Sequence, residues 1–176
     1  VILVAGCGGI GGGAVEPLVR AGAQRFILAD NGVYAYEDAG REAVRVQDVG
    51  RNKAAVFAER MREINPFARF DVHTDGVSER NVAALLEEAD LVVDAISTSE
   101  SGSLRAKLLL HHHARRLGKP VIGGYDIAGT LWVPVYDYRR RDLKLLDSKV
   151  AEAEVATLQP VEFMSRMFSS LEIPIE

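Results

Sequence analysis

The chain opens on Val1-Ile2-Leu3-Val4-Ala5-Gly6-Cys7-Gly8-Gly9-Ile10-Gly11-Gly12, an apolar run feeding directly into a glycine-rich turn. The run reads as a buried strand, and Gly6, Gly8 and Gly11 fit G-x-G-x-x-G, the spacing of a strand–turn–helix that receives a phosphate. Gly6 allows the tight turn, Gly8 keeps a side chain away from the bound group, and Gly11 lets the helix pack closely on the sheet. A helix starting there aims its free N–H groups and the positive end of its dipole at an anion. A second strand, Phe26-Ile27-Leu28-Ala29, runs into Asp30, 19 residues after Gly11, where an acid accepts hydrogen bonds from a ribose. The expectation is a nucleotide-binding chain, and Asp30 suits the ribose of a nicotinamide dinucleotide as well as that of an adenine nucleotide.

Strand and helix patterns alternate from there, which predicts a parallel sheet covered by helices. Ile10, Ala14, Leu18 and Ala21 recur at helical spacing up to Gly22, with Pro17 inside the stripe as a candidate kink. Ala54, Phe57, Met61 and Ile64 mark a second helix that stops at Asn65-Pro66, because a residue before proline resists the helical conformation. A strand is expected over Phe70–His73, a short helix at Val82, Leu85 and Leu86, and a buried strand over Leu91–Ile96. A longer helix carries Leu104, Leu108 and Leu117 to Gly118, before a fifth strand at Val121–Gly124. Beyond it, Leu131, Val133 and Val135 alternate with Trp132 and Pro134, which predicts an antiparallel strand at an edge, paired with Leu143–Leu146 across Arg139-Arg140-Arg141. A final helix spans Val161 to Leu171. The fold expected is α/β: a Rossmann-like, doubly wound, mainly parallel sheet over residues 1–126, with antiparallel strands and a terminal helix over 127–176, in one domain.

The residues after Asp30 narrow the reading. Arg41 follows 11 residues later, and Asp48-Val49-Gly50-Arg51-Asn52-Lys53-Ala54 leads into the helix that ends at Ile64-Asn65-Pro66. Next comes the strand Leu91-Val92-Val93-Asp94-Ala95. This order resembles the ThiF/MoeB family of adenylyltransferases, which includes the nucleotide-binding domains of ubiquitin-activating enzymes. The resemblance covers about Val1 to Gly124, and D-x-G-x-x-K-A is its most specific part. It implies that a substrate carboxylate attacks the α-phosphate of Mg-ATP to give an acyl-adenylate and pyrophosphate. It places Gly6, Gly8, Gly9 and Gly11 around the phosphates, Asp30 on the ribose, and Arg41 and Lys53 on the phosphates, where they offset charge on the leaving pyrophosphate. Asp94 with Ser97 would be the magnesium site. The carboxylate would belong to a small molecule, a peptide or a ubiquitin-like carrier, and relatives commonly form homodimers. The alternatives are a relative that keeps the fold as a nucleotide-binding scaffold or sensor and, behind it, an NAD-binding oxidoreductase, against which stands the lack of a separate substrate domain and of an obvious proton-donor set.

The departures from the family pattern are specific. Gly32 stands where a second acid is usual, Asp38 where an Asn is usual, and Ser97 where the family has the magnesium-holding Asp. A hydroxyl is a poor replacement for a carboxylate on a hard cation. Cys7 is the one cysteine in these 176 residues, so they hold neither a cysteine zinc site nor a downstream thioester cysteine, and a reducing cytoplasm is expected. Net charge −4 gives no support to nucleic-acid binding, and no apolar run reaches membrane-span length. No signal peptide precedes the first strand, and the missing initial Met makes an upstream segment expected. Cys7 reads as a packing residue. His111-His112-His113 reads as surface or partly buried helix, since helical neighbours point about 100° apart and cannot converge on one ion. Trp132 reads as packing, Arg139–Arg141 as a solvated turn, and the last helix as docked on its own domain.

Overall fold

Strands that are apolar on both faces need cover on both sides, and this chain supplies it. The computed structural model describes residues 1–127 and 129–169. Five parallel strands carry the sheet: β1 (Ile2–Ala5), β2 (Arg25–Ala29), β3 (Arg69–His73), β4 (Leu91–Asp94) and β5 (Pro120–Gly123). β8 (Val135–Asp137) adds antiparallel to β5, giving the order β3-β2-β1-β4-β5-β8. Side chains alternate across this sheet. Val4, Phe26, Leu28 and Val93 pack with helices α1 (Gly9–Arg20) and α2 (Lys53–Ile64) on one face. Leu3, Ala5, Ile27, Ala29 and Val92 pack on the other with α3 (Val82–Glu88), α4 (Ser101–Leu117) and α5 (Pro160–Phe168). β2 and β4 flank β1 on opposite sides, so the strand order reverses at β1. Such a reversal opens a crevice at the carboxyl ends of the strands, the usual ligand position in this architecture.

The structure is the doubly wound, mainly parallel α/β fold expected from the sequence, and three local expectations are corrected. The apolar run 131–135 is two strands rather than one. β7 (Thr130–Trp132) closes a small hairpin with β6 (Tyr125–Ile127), and the chain turns at Pro134 before β8 joins the main sheet. Proline cannot donate to a ladder, which is where the run breaks. Leu143–Leu146 is no strand. Leu145–Ser148 forms a tight turn in which Leu146, Asp147 and Ser148 take positive φ, with Leu145 and Leu146 buried. In α1 the buried stripe is Gly11, Val15 and Val19, one position on from the stripe the apolar side chains suggested, while Ile10, Ala14 and Leu18 are half-buried. The helix keeps Pro17 inside it and stops before Gly22. In α5, Phe163 and Met167 are buried against the rest of the chain; Leu171, assigned to this helix from sequence, lies outside the described residues.

Candidate functional site

The crevice at β1 is built around Gly6 and Gly11. Gly6 has φ +92°, and a Cβ there would sit 2.5 Å from the Ala95 carbonyl oxygen. A Cβ on Gly11 would sit 1.9 Å from the Gly6 carbonyl oxygen, so the helix contacts the turn backbone to backbone. The turn is held by Gly6 N–H donating to the Ala29 carbonyl (2.9 Å) and Gly12 N–H to the Gly8 carbonyl (2.7 Å). α1 starts at Gly9 with no side chain capping it and no acid in its first turn. Its first N–H groups therefore keep their pull on an anion.

Asp30 leaves β2 beside this turn. One carboxylate oxygen accepts from Cys7 N–H (2.6 Å) and the other from Gly32 N–H (2.7 Å). The acid thus braces the glycine loop, and each oxygen retains a further lone pair. Asn52 completes this corner and was not singled out from sequence. Its side-chain amide donates to the Asp30 carbonyl (2.8 Å), and its oxygen accepts from Ala55 N–H (3.1 Å), capping α2. The signal was available as an Asn directly ahead of a helix start.

Lys53 and Arg41 do come together, through Asp38. Arg41 donates to Asp38 Oδ1 (2.6 Å) and Lys53 Nζ lies 3.2 Å from Oδ2. The Ala35 backbone N–H and the Arg41 side chain hold the Asp38 carboxyl down at about 2. Glu42 also grips Lys53, at 2.9 and 3.1 Å. Burial works against charge on Lys53, yet Glu42 and Asp38 more than offset it and hold the ammonium above the ordinary lysine range. Arg41 remains largely exposed. Behind this rim Asp48 is buried between Arg60 and Arg51, so the acid of D-x-G-x-x-K-A anchors the loop.

Asp94 and Ser97 do not form the cation site expected of them. Along β4 the side chains alternate, so Asp94 shares the face of Val92, toward α4, while Val93 faces α1 and α2. Asp94, Lys107 and His111 are all fully buried at 0% exposure. Lys107 Nζ lies 2.5 Å and His111 Nε2 3.0 Å from Asp94 Oδ2, and Oδ1 accepts from Ile96 N–H (3.2 Å). Burial opposes ionisation of Asp94, but Lys107 and His111 outweigh it and hold the carboxyl low. Burial pushes His111 down, against the pull of Asp94, and so favours the neutral ring. In the tautomer that satisfies the network, Nε2–H donates to Asp94 and Nδ1 accepts from Tyr138 OH (2.9 Å), which itself accepts from Leu146 N–H (3.1 Å). Both Asp94 oxygens are engaged away from solvent, and the exposed Ser97 hydroxyl pairs with Ser99 Oγ (2.8 Å). These two residues do not fit a magnesium ion, and no group of three or more His, Cys, Asp and Glu side chains suited to a metal occurs among the described residues.

His111 corrects a second expectation, since it is a core residue rather than a surface one. Cys7 is packed as expected, and burial, with Asp30 close by, raises its thiol pKa. Trp132 packs on Tyr125 and Phe168, with ring centroids 5.2 and 5.4 Å away. Arg139 and Arg140 pair with Asp137 and Asp142 of their own turn. A cavity of about 820 Å³ opens beside the glycine loop, lined by Gly8, Gly9, Tyr34, Arg41, Glu42 and Arg60 among others; Lys53 is not in its wall. No described helix is long and apolar enough to cross a membrane.

The ThiF family model matches residues 1–136. The tRNA threonylcarbamoyladenosine dehydratase of Escherichia coli is 37% identical over 123 residues, 69% of this chain and 44% of that protein. The sulfur carrier protein adenylyltransferase of Thermus thermophilus is 30% identical over 124 residues, 70% of this chain and 44% of that protein. The crystal structure of the E. coli dehydratase TcdA in complex with ATP superposes with TM-score 0.65 at 35% identity, covering 71% of this chain and 51% of that one. The chain spans less than half the length of these two curated relatives.

Proposed function

Because the chain belongs to the ThiF family, we propose that it binds ATP at the glycine loop and transfers its adenylyl group to a carboxylate. The observation that carries this reading is the convergence, at one sheet edge, of the uncapped α1 N-terminus, Asp30, and the Lys53–Asp38–Arg41 cluster. Gly6, Gly8, Gly9 and Gly11 would cradle the phosphates and Asp30 would accept from the ribose. A carboxylate oxygen of the substrate attacks the α-phosphorus, the bond to the bridging oxygen breaks, and pyrophosphate leaves with the electron pair. Arg41 and Lys53 would take up the charge that builds on that pyrophosphate. The substrate class we favour is a small molecule, peptide or ubiquitin-like carrier bearing a free carboxylate. ATP-complexed TcdA and the carrier-activating relative support it. The magnesium that accompanies ATP has no assigned protein ligand, and no step is derived through Asp94 or Ser97.

A second reading has its own support: the occupied Asp94 and the hydroxyl at Ser97 suit a scaffold that holds nucleotide without turnover. ATP–pyrophosphate exchange separates the two. With magnesium in the buffer and a fractionated cell extract as acceptor source, extract-dependent exchange is expected, with about a tenfold or larger loss in Lys53→Ala. A clear thermal shift with ATP but no exchange from any fraction would favour the scaffold. Absence of both would overturn the nucleotide reading.

A further inference from the structure

We propose that Glu42 is a built-in competitor for the anion that the glycine loop receives, so that phosphate enters only as this carboxylate leaves Lys53. The proposal rests on the nucleotide reading above and deepens it. The three atoms nearest a Cβ placed on Gly8 all belong to the end of this one side chain: Glu42 Oε1 at 3.2 Å, Cδ at 3.6 Å and Oε2 at 3.8 Å. The space that a side-chain-free Gly8 keeps open is therefore filled by a carboxylate from the chain itself. The neighbouring backbone lies on the loop too, with the Arg41 carbonyl oxygen 3.0 Å from a Cβ on Gly9. Glu42 holds Lys53 with both oxygens, and its side chain is only 7% exposed.

Charge explains why the two anions exclude each other. In the structure Arg41 and Lys53 face Asp38 and Glu42, two cations against two carboxylates. With Glu42 withdrawn, Lys53 and Arg41 keep Asp38 and one positive charge is left for the incoming phosphate. With Glu42 in place a phosphate on the glycine loop would meet a like charge in the space beside Gly8, which disfavours both ions. The route out exists. Glu42 borders the cavity beside the loop, and Lys53, bonded to it, does not, so a Glu42 side chain turned into that cavity would free the lysine. The backbone need not move: Glu42 N–H and Arg41 N–H stay bonded to the Asp38 carbonyl, at 2.8 and 3.0 Å. Glutamate carries enough rotamer freedom to make this local.

Calorimetric titration of the wild type, Glu42→Gln and Glu42→Ala with ATP tests it. Gln keeps the shape and removes the charge; Ala removes both, and either variant suffices if the other fails to fold. If the carboxylate fills the site about nine-tenths of the time, apparent affinity should rise about tenfold when it is neutralised. Equal affinity in wild type and variants would overturn the proposal and leave nucleotide binding intact. Weaker binding in the variants would overturn it as well, making Glu42 a group that helps to hold the ligand. Binding by none of the three would overturn the nucleotide reading and this inference with it.

Discussion

Two lysines on opposite faces of one sheet each sit between acids or their partners, and burial gives them opposite roles. Lys107 is sealed with Asp94 and His111 at 0% exposure, and its ammonium lies 4.6 Å from the centroid of the Tyr125 ring. Lys53 keeps 14% of its side chain exposed and shares Asp38 and Glu42 beside an open cavity. Away from water, a partner removed leaves an uncompensated charge. Near water, solvent or an incoming anion takes its place at small cost. The first arrangement fixes geometry; the second lends itself to exchange of partners. Similar residue types thus supply a rivet on one face and a latch on the other.

The comparison stands or falls on stability measurements. Lys107→Met keeps the aliphatic stem and leaves Asp94 short of its cation; chemical denaturation should show a loss of about 3–5 kcal/mol. Lys53→Ala, read by the same denaturant midpoint, should cost under about 2 kcal/mol, because Asp38 retains Arg41 and the Ala35 N–H and the freed Glu42 borders a cavity from which water can reach it. Equal losses would abolish the distinction. Acid titration sharpens it. The folded Asp38 pKa lies below its ordinary value of 3.8, at about 2. Its stabilisation is therefore fully present above about pH 4 and is lost as pH falls through about 2. Asp38→Asn should flatten that part of a stability–pH curve, and an unchanged slope would show that Asp38 is not held as described. The smallest effect marks the exposed end of the scale. Arg139 is 69% exposed in its pair with Asp137, and Arg139→Ala should shift stability by no more than about 0.5 kcal/mol.

Most of the layering was legible because each helix and strand repeats an apolar period. Phe57 and Met61 placed α2, Asn65-Pro66 its end, and the glycine motif the turn after β1. The misses have identifiable causes. Gly11 belongs to the buried stripe of α1 yet carries no side chain to mark it, so the flanking Ile10, Ala14 and Leu18 drew the eye one position off. Leu143–Leu146 has strand-like composition, but the Tyr138 hydroxyl holds Leu146 N–H in a turn, a contact between loops that periodicity does not encode. In the candidate site, Gly6, Asp30, Lys53 and Arg41 were visible as motif positions, and the structure brings the last two together through Asp38. Asp94 was visible as a strand-end acid, and the family pattern drew it toward the nucleotide; that it shares the face of Val92, toward α4, where Lys107 and His111 meet it, emerged only from the packing of the sheet. Glu42 carried no signal alone, since a single acid beside a basic residue reads as solvated surface.

The aspartate at the end of β4 has one more consequence. Its second oxygen pins Ile96 N–H, and the adjoining Ala95 carbonyl is the surface against which Gly6 turns. His111 and, through it, Tyr138, far along the chain from the glycine motif, hold the other oxygen of the same aspartate, so contacts run unbroken from them to the backbone behind that turn. A version of this polypeptide ending before Tyr138 would still display every motif glycine, the ribose acid and both basic residues. It would read as complete by its motifs while lacking the hydroxyl that holds His111 against Asp94, which separates the residues that make a chain recognisable from the contacts that stand behind them.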